Sequence, residues 1–258
     1  MKITTWNVNS IRARLERALD WIDRTQPDVV AIQETKVVDE LFPREPFEER
    51  GYHVETYGQK TYNGVAMLSK QPMEQVLKGF GNDPDEQRRL MAAVVDGVRV
   101  VNVYVPNGQA LDSPKYPYKL DWLENLRIWL DEHVEHEETV LVVGDFNVAP
   151  NDIDVHDPEA WKDKVLCSEP ERDALARVCG WGLSDLFREH DEEPERYTWW
   201  DFRTLGFQRG AGLRIDLLLG SEAAAERCRG VLIEREERKG KKPSDHAPVT
   251  AYLDEDPA

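Results

Sequence analysis

Asp145 and Asn147 follow an unbroken apolar run, Val140-Leu141-Val142-Val143, after a glycine at position 144. A run that is apolar on both faces is the pattern of a central strand covered on both sides. A carboxylate and a carboxamide two positions apart at its end would project to one side. That is where open sheets bind ligands, and the pair suits a phosphate or a divalent cation. Taken alone, Gly144, Asp145, Asn147 and Pro150 equally suit an ordinary turn. The pattern recurs, however. Asn7 and Asn9 close a first apolar strand, and Glu34 follows a second with Lys36 close by. Tyr104 and Asn107 flank Val105-Pro106 at the end of another, Asp216 sits in an apolar stretch, and Asp245-His246 precede a last one. If these groups meet, carboxylates would hold a hard divalent ion and amides would bind phosphate oxygens. The histidine would have an Asp partner. Oxygen ligands favour Mg²⁺ or Mn²⁺ over zinc. Water, not a protein nucleophile, would then attack a phosphate. Neither a Cys₂His₂ spacing nor a glycine-rich phosphate loop is present.

Such groups need a scaffold that carries distant segments to one edge. Residues 2–8 read as a strand, and Ser10 is placed to cap a helix over 11–24. Ile11, Leu15, Ala18, Leu19 and Ile22 form its apolar stripe. Residues 28–33 read as a second strand. Segments 52–57 and 64–69 suggest a hairpin turning at Asn63-Gly64, and 90–96 with 99–105 another at Asp96-Gly97. A short strand over 73–78 and a polar loop over 79–89 lie between them. Ser113-Pro114 opens a long helix to about residue 136. Its stripe is Tyr118, Trp122, Leu126, Trp129 and Leu130. The segment from the central strand to residue 171 is long, as functional loops are. Short helices are expected over 172–179 and 184–189, and strands over 213–219, 231–235 and 249–253. The elements fall into two sets, 1–120 and 121–258. The expected fold is α/β: one domain over 1–253 with two face-packed sheets and helices outside, then a fraying acidic tail over 254–258.

Cys167, Cys179 and Cys228 are odd in number and widely spaced, which is neither a disulfide framework nor a zinc pattern. The N-terminus lacks the apolar core of a signal peptide, and no stretch has transmembrane length. A cytoplasmic protein with no membrane partner is expected. The formal charge of −17 argues against a polyanionic partner. Basic residues nevertheless cluster over 115–119, 203–214 and 235–242, and a binding face is a local property. Arg88, ending the polar loop, and Lys242, beside Asp245-His246, are the basic residues expected to meet substrate. An acid-rich, lysine-poor surface suits a salty, halophilic cytoplasm. That predicts an unfolding midpoint rising from low to multimolar KCl; a midpoint that does not rise would refute it.

Several segments, in chain order, resemble the exonuclease III family of apurinic/apyrimidinic endonucleases. They are TTWNVNSIRARL, QETK (33–36), YVPNG (104–108), GDFNVAPNDIDV (144–155), YTWWDFR (197–203), LRIDLLL (213–219) and SDHAPV (244–249). QETK and SDH are shared with the wider endonuclease/exonuclease/phosphatase superfamily; the GDFN, YTWWDFR and LRID segments point to the DNA-repair branch. The resemblance implies a four-layer α/β sandwich, two mixed sheets flanked by helices, with one site at an edge. It implies an Mg²⁺-dependent enzyme, with Mn²⁺ able to substitute. The enzyme would act as a monomer on double-stranded DNA, cleaving 5′ to an abasic site and leaving a 3′-hydroxyl, with 3′→5′ exonuclease and 3′-phosphodiesterase activity besides.

Residue by residue, the resemblance makes Glu34 the main Mg²⁺ ligand with Asp245 near the same ion; Asn9 stands where some relatives have Asp. Asn7 and Asn147 would hold the phosphate and a second metal position. Asp145 would exchange a proton with water or the leaving oxygen, and with His246 it completes the metal-site set. Asp216 would orient His246 toward the scissile phosphate. Tyr104 would support the transition state, and Asn107 would place Asp145 or the phosphate. Trp199, Leu213 and Ile215 would wall an apolar pocket for a flipped-out, baseless sugar, whose missing pairing lowers the cost of extrusion. Three rivals remain: a superfamily phosphohydrolase acting on a lipid, a non-catalytic binding module on the same fold, and an enzyme that prefers a modified base such as uracil over an abasic site.

Overall fold

The computed structural model describes residues 1–81 and 87–257. Its strands are β1 (Lys2–Asn7), β2 (Val29–Gln33), β3 (His53–Tyr57), β4 (Val65–Ser69), β5 (Glu74–Lys78), β6 (Leu90–Val95), β7 (Val98–Tyr104), β8 (Thr139–Asp145), β9 (Leu183–Asp185), β10 (Asp216–Ser221), β11 (Cys228–Ile233) and β12 (Val249–Leu253). Its helices are α1 (Ile11–Thr25), α2 (Glu45–Glu48), α3 (Lys115–His133), α4 (Pro158–Trp161), α5 (Glu169–Cys179), α6 (Leu186–His190), α7 (Gly206–Arg209) and α8 (Glu222–Arg227). One sheet has the order β11-β12-β1-β2-β4-β3 and the other β5-β6-β7-β8-β10-β9. The pairs β1–β2 and β7–β8 are parallel and the rest antiparallel. Both sheets are therefore mixed, as expected.

Side-chain alternation builds the layers. In β8, Leu141 and Val143 enter the core between the sheets, where they join Ile3, Val29, Ala31 and Met67. Val140 and Val142 enter the outer core with Trp122 and Leu126 of α3 and Leu175 of α5. In β2, Val30 and Ile32 face α1, beside Trp6, Trp21 and Ile22. The result is helix, sheet, sheet, helix. Trp6 and Trp21 meet edge-on at 5.3 Å between centroids, an arrangement worth about 0.5–1.5 kcal/mol beyond burial.

Several expectations shift. The two sets of elements do not form one sheet each: β11 and β12 complete the sheet of β1–β4, and β5–β7 pair with β8. Ser10 makes no side-chain cap; its backbone is at φ 86°, and its N–H donates to the Glu34 carbonyl at 2.8 Å. Asn63-Gly64 is not a two-residue turn, because Tyr57 pairs with Val65 and residues 58–64 form the connection. Gly64 instead packs on the end of β2, where its carbonyl accepts from Thr35 N and its φ is 87°. The long helix starts at Lys115, with Ser113 Oγ accepting the Lys115 N–H at 3.2 Å, and ends at His133. β10 begins only at Asp216, and β9 and α8 were not expected. Residues 82–86 of the polar 79–89 loop and Ala258 of the expected tail lie outside the described residues. Asp254 pairs with Arg227 at 2.8 Å, and Glu255 with the N-terminal ammonium at 2.9 Å, so the start of that tail is tied to the fold.

Candidate active site

The two parallel pairs bring four strand ends to one edge. Asn7 is the last residue of β1, and Glu34 follows β2. Tyr104 pairs with Asp145, and Asp145 pairs with Asp216, because β10 runs antiparallel to β8 and begins where β8 ends. Gly144 permits this approach. Its φ is 150°, and a Cβ there would sit 1.9 Å from the Val103 carbonyl oxygen of β7.

A buried polar network joins these ends. Asn7 Nδ2 donates to Glu34 Oε1 at 3.0 Å and to Asp145 Oδ2 at 2.9 Å. The Tyr104 hydroxyl donates to Glu34 Oε1 at 2.9 Å. His246 Nδ1 faces Asp216 at 2.8 and 3.1 Å, and Nε2 lies 3.7 Å from Asp145 Oδ2. Ligand atoms of Glu34, Asp145 and His246 all lie within 4.8 Å of one another. Asp145 and Asn147 do not share a side by strand alternation, since β8 ends at Asp145. They meet through a turn in which Asn147, at φ 50°, donates its N–H to Asp145 Oδ1 at 2.9 Å. Asn147 Nδ2 donates to the Val105 carbonyl at 3.0 Å, and its Oδ1 accepts from Asn107 Nδ2 at 3.0 Å.

Asp245 forms the far wall. It accepts from Asn9 Nδ2 at 2.9 Å and from Trp199 Nε1 at 3.1 Å. Lys36, to which the sequence reading gave no role, bridges Glu34 at 2.7 Å and Asn9 Oδ1 at 2.6 Å. Ser244 is a second omission. Its hydroxyl donates to the Asn7 carbonyl at 2.6 Å and accepts the His246 N–H at 3.2 Å, joining the last loop to β1. Thr198 is a third: its hydroxyl accepts the N–H groups of Ile215 and Asp216 at 3.1 and 3.0 Å. The sequence signal for Ser244 was its place at the head of the SDHAPV segment, beside Asp245-His246.

The charges are coupled. Burial lowers the His246 pKa, but the Asp216 and Asp145 carboxylates outweigh it and push it up to about 10. Burial raises the Asp145 carboxyl to about 7 against the opposing pull of His246. The carboxylates on either side of the imidazole therefore favour its protonated form. Burial also works against the ionised forms of Glu34 and Asp245. Lys36 and Asn7 nevertheless hold Glu34 below its usual range, and His246, Asn9 and Trp199 do so for Asp245. Burial, then Glu34, drive the Tyr104 phenol well above its ordinary value, so it stays a donor.

Other expected residues stand apart. Leu213 and Ile215 are fully buried, in a cluster with Ala149 and Val155. They back Trp199 instead of lining an open pocket. Arg88 reaches toward Asp39 at 3.8 Å and lies over the Tyr57 ring, while Lys242 is exposed and has no hydrogen bond or ion pair with the cluster. The basic clusters are also smaller than they looked. Arg214 is buried between Asp154 (2.7 Å) and Asp185 (2.6 Å), and Lys119 is buried against Glu171. An open groove of about 370 Å³, lined by Tyr104, Asn107, Pro106, Arg89 and Tyr62, runs up to the network.

Residues 4–246 match the Endonuclease/Exonuclease/phosphatase family. Exodeoxyribonuclease III of Haemophilus influenzae is 37% identical, over 97% of this chain and 99% of its own. Among solved structures, a 3′–5′ exonuclease from Neisseria meningitidis is 45% identical, with a TM-score of 0.95 over 99% of this chain and 100% of that one. An AP endonuclease from Archaeoglobus fulgidus is 41% identical with the same TM-score and coverage. This chain belongs to the endonuclease/exonuclease/phosphatase family, in its branch of exodeoxyribonuclease III-like DNA repair nucleases.

Proposed function

We propose that this nuclease cleaves the phosphodiester 5′ to an abasic site in double-stranded DNA, leaving a 3′-hydroxyl, with Mg²⁺ as cofactor and Mn²⁺ as a working substitute. The observation that carries the reading is the convergence of Glu34, Asp145 and His246, with Asp216 behind the histidine. The donor set fits a hard divalent ion: carboxylate and amide oxygens predominate, and no thiolate is near. Glu34 and Asp145 would hold the ion, with Asn7, Asn147 and Asp245 around it. When bound, it would neutralise charge on the phosphate and the leaving oxygen. His246 is also within ligand range. We assign its Nε2 to a phosphate oxygen instead, because the Asp216 and Asp145 carboxylates push the imidazole up to about 10, and a protonated Nε2 has no lone pair to offer a metal.

The protein groups then divide the work. Asp145, whose Oδ2 faces His246 Nε2 at 3.7 Å, takes a proton from the attacking water. His246 donates to the oxygen on which charge develops, and the amides of Asn7 and Asn147 add preorganised donors. Tyr104 donates to Glu34 and fixes its carboxylate. Trp199 presents its ring beside Asp245 for the baseless sugar, while Arg88 and Lys242 meet backbone phosphates outside the network. We further propose a single catalytic domain over 1–253, acting as a monomer in the cytoplasm. Among the described residues no helix is long and apolar enough to cross a membrane.

A second reading is favoured by the neighbouring structures: the same site would process 3′ termini. The Neisseria meningitidis neighbour is a 3′–5′ exonuclease, and another Neisseria structure, 43% identical, is a 3′ phosphatase bound to a product DNA hairpin. A duplex with one internal tetrahydrofuran residue separates the readings. Incision 5′ to the analogue with Mg²⁺ and not with EDTA, giving an end that a polymerase extends, supports the first. Removal of a 3′-terminal nucleotide or phosphate without internal incision replaces it with the second.

A further inference from the structure

Lys119 is part of α3, yet its side chain is fully buried. It falls on the buried stripe with Trp122, Leu123, Leu126 and Leu130. Its ammonium spends its three protons on three acceptors. It donates to the Asn147 carbonyl at 2.6 Å, to the Asn107 carbonyl at 3.2 Å and to Glu171 Oε1. Glu171, also fully buried, is the third residue of α5. It accepts from Leu166 N at 3.0 Å, Ser168 N at 3.1 Å and the Ser168 hydroxyl, and that hydroxyl meets the Tyr116 hydroxyl at 2.7 Å. Gly108 lies against the lysine stem, where a Cβ would be 3.2 Å from Lys119 Cδ.

We propose that the Lys119–Glu171 pair is a positioning device for the reaction: it sets the two loops whose side chains, Asn107 and Asn147, meet at 3.0 Å beside Asp145. This rests on the reading of the site above. The two carbonyls belong to separate segments, one after β7 and one after β8, and no sheet pairing joins them at that point. The lysine bridges them from the helix side and Glu171 anchors the lysine. A buried ion pair is a poor source of net stability, because desolvation of both charges offsets their attraction, and a well-packed apolar pair often does as well. An apolar pair would still pack α3 on α5, but it would leave the carbonyls of Asn107 and Asn147 without their donor, and the N–H groups of Leu166 and Ser168 without their Glu171 acceptor. The same two residues carry the contacts to the site: Asn107 Nδ2 donates to Asn147 Oδ1, and the Asn147 N–H donates to Asp145 Oδ1.

The test uses the full-length protein with Lys119→Met/Glu171→Leu, Lys119→Arg and the parent. Thermal unfolding establishes that each is folded, and the double variant keeps the test open should a single variant fail to fold. Turnover of the tetrahydrofuran duplex is split into kcat and KM, and the side-chain amide signals of Asn107 and Asn147 are followed by NMR. The expected result for the double variant is a kcat lower by about 10²-fold, the cost of a displacement of roughly 1 Å in a catalytic group. KM is unchanged, both asparagine signals move, and Lys119→Arg recovers part of kcat. A folded double variant with parental kcat and unmoved asparagine signals overturns the proposal. The NMR readout needs no turnover. Failure of the cleavage reading shows in the parent, whereas failure of this proposal shows in the asparagine signals.

Discussion

Asp216→Asn isolates the charge behind the histidine. Asp216 is buried, and its carboxylate lies 2.8 and 3.1 Å from His246 Nδ1. The Thr198 hydroxyl holds its backbone N–H at 3.0 Å, so the isosteric amide occupies the same space. A hydrogen bond to a charged partner contributes about 1.5–3 kcal/mol. At about 1.4 kcal/mol per decade, its loss lowers kcat roughly 10- to 150-fold. The loss is larger at alkaline pH. Burial depresses the His246 pKa, and Asp216 is the largest charge opposing it. Without that carboxylate the imidazole falls from about 10 and loses its proton where the parent keeps it. Single-turnover incision from about pH 6 to about pH 9.5, with ¹⁵N spectra of the imidazole, measures both effects. A variant within about twofold of the parent across that range, or an imidazole whose protonation is unchanged, refutes the reasoning.

Two further outcomes follow from the same geometry. Gly144→Ala places a Cβ 1.9 Å from the Val103 carbonyl at a φ of 150°, and should cost on the order of 3 kcal/mol by urea unfolding; a loss under about 1 kcal/mol would mean that β7 and β8 separate easily. Without a metal, the flanking carboxylates push folded His246 up to about 10 from an ordinary 6.5, and burial raises folded Asp145 to about 7 from 3.8. Both raised values contribute stability that is full below the ordinary pKa and lost as pH climbs through the folded one. The metal-free melting temperature should therefore fall toward pH 10, and Mg²⁺ should raise it more at about pH 8.5 than at about pH 5.5, since its ligands must be deprotonated. Equal increments at the two pH values would contradict this.

What the sequence made legible was local. The double-sided apolar run of β8 and the change to Gly144-Asp145 mark a central strand and its end, and the same pattern marks Asn7, Glu34 and Tyr104. Those residues do converge, because parallel neighbours share a C-terminal edge. Sheet membership was not legible: β12 pairs with β1 across most of the chain and carries β11 on its other side, and no local pattern encodes that pairing. β9 has three residues, too few for a period. Charge misled most. Lys119 and Arg214 fall in basic clusters of the sequence, yet each is buried against acids that lie far away along the chain, Glu171 for the first and Asp154 and Asp185 for the second. Leu213 is core and not an open pocket wall, since an apolar side chain before a strand does not declare which surface it faces. The one visible clue to Lys119 was its place on the apolar stripe of α3.

The central claim is that Glu34, Asp145 and His246 form one divalent-ion-dependent phosphodiester site. Single-turnover incision of the tetrahydrofuran duplex by the parent and by Asp145→Asn, at saturating Mg²⁺ and with duplex binding measured in parallel, tests it most directly. The account predicts a rate lower by about 10²–10⁴-fold in the variant, the range for loss of a general base, with binding retained and no parental incision in EDTA. An Asp145→Asn rate within about threefold of the parent would contradict it, as would parental incision that persists in EDTA.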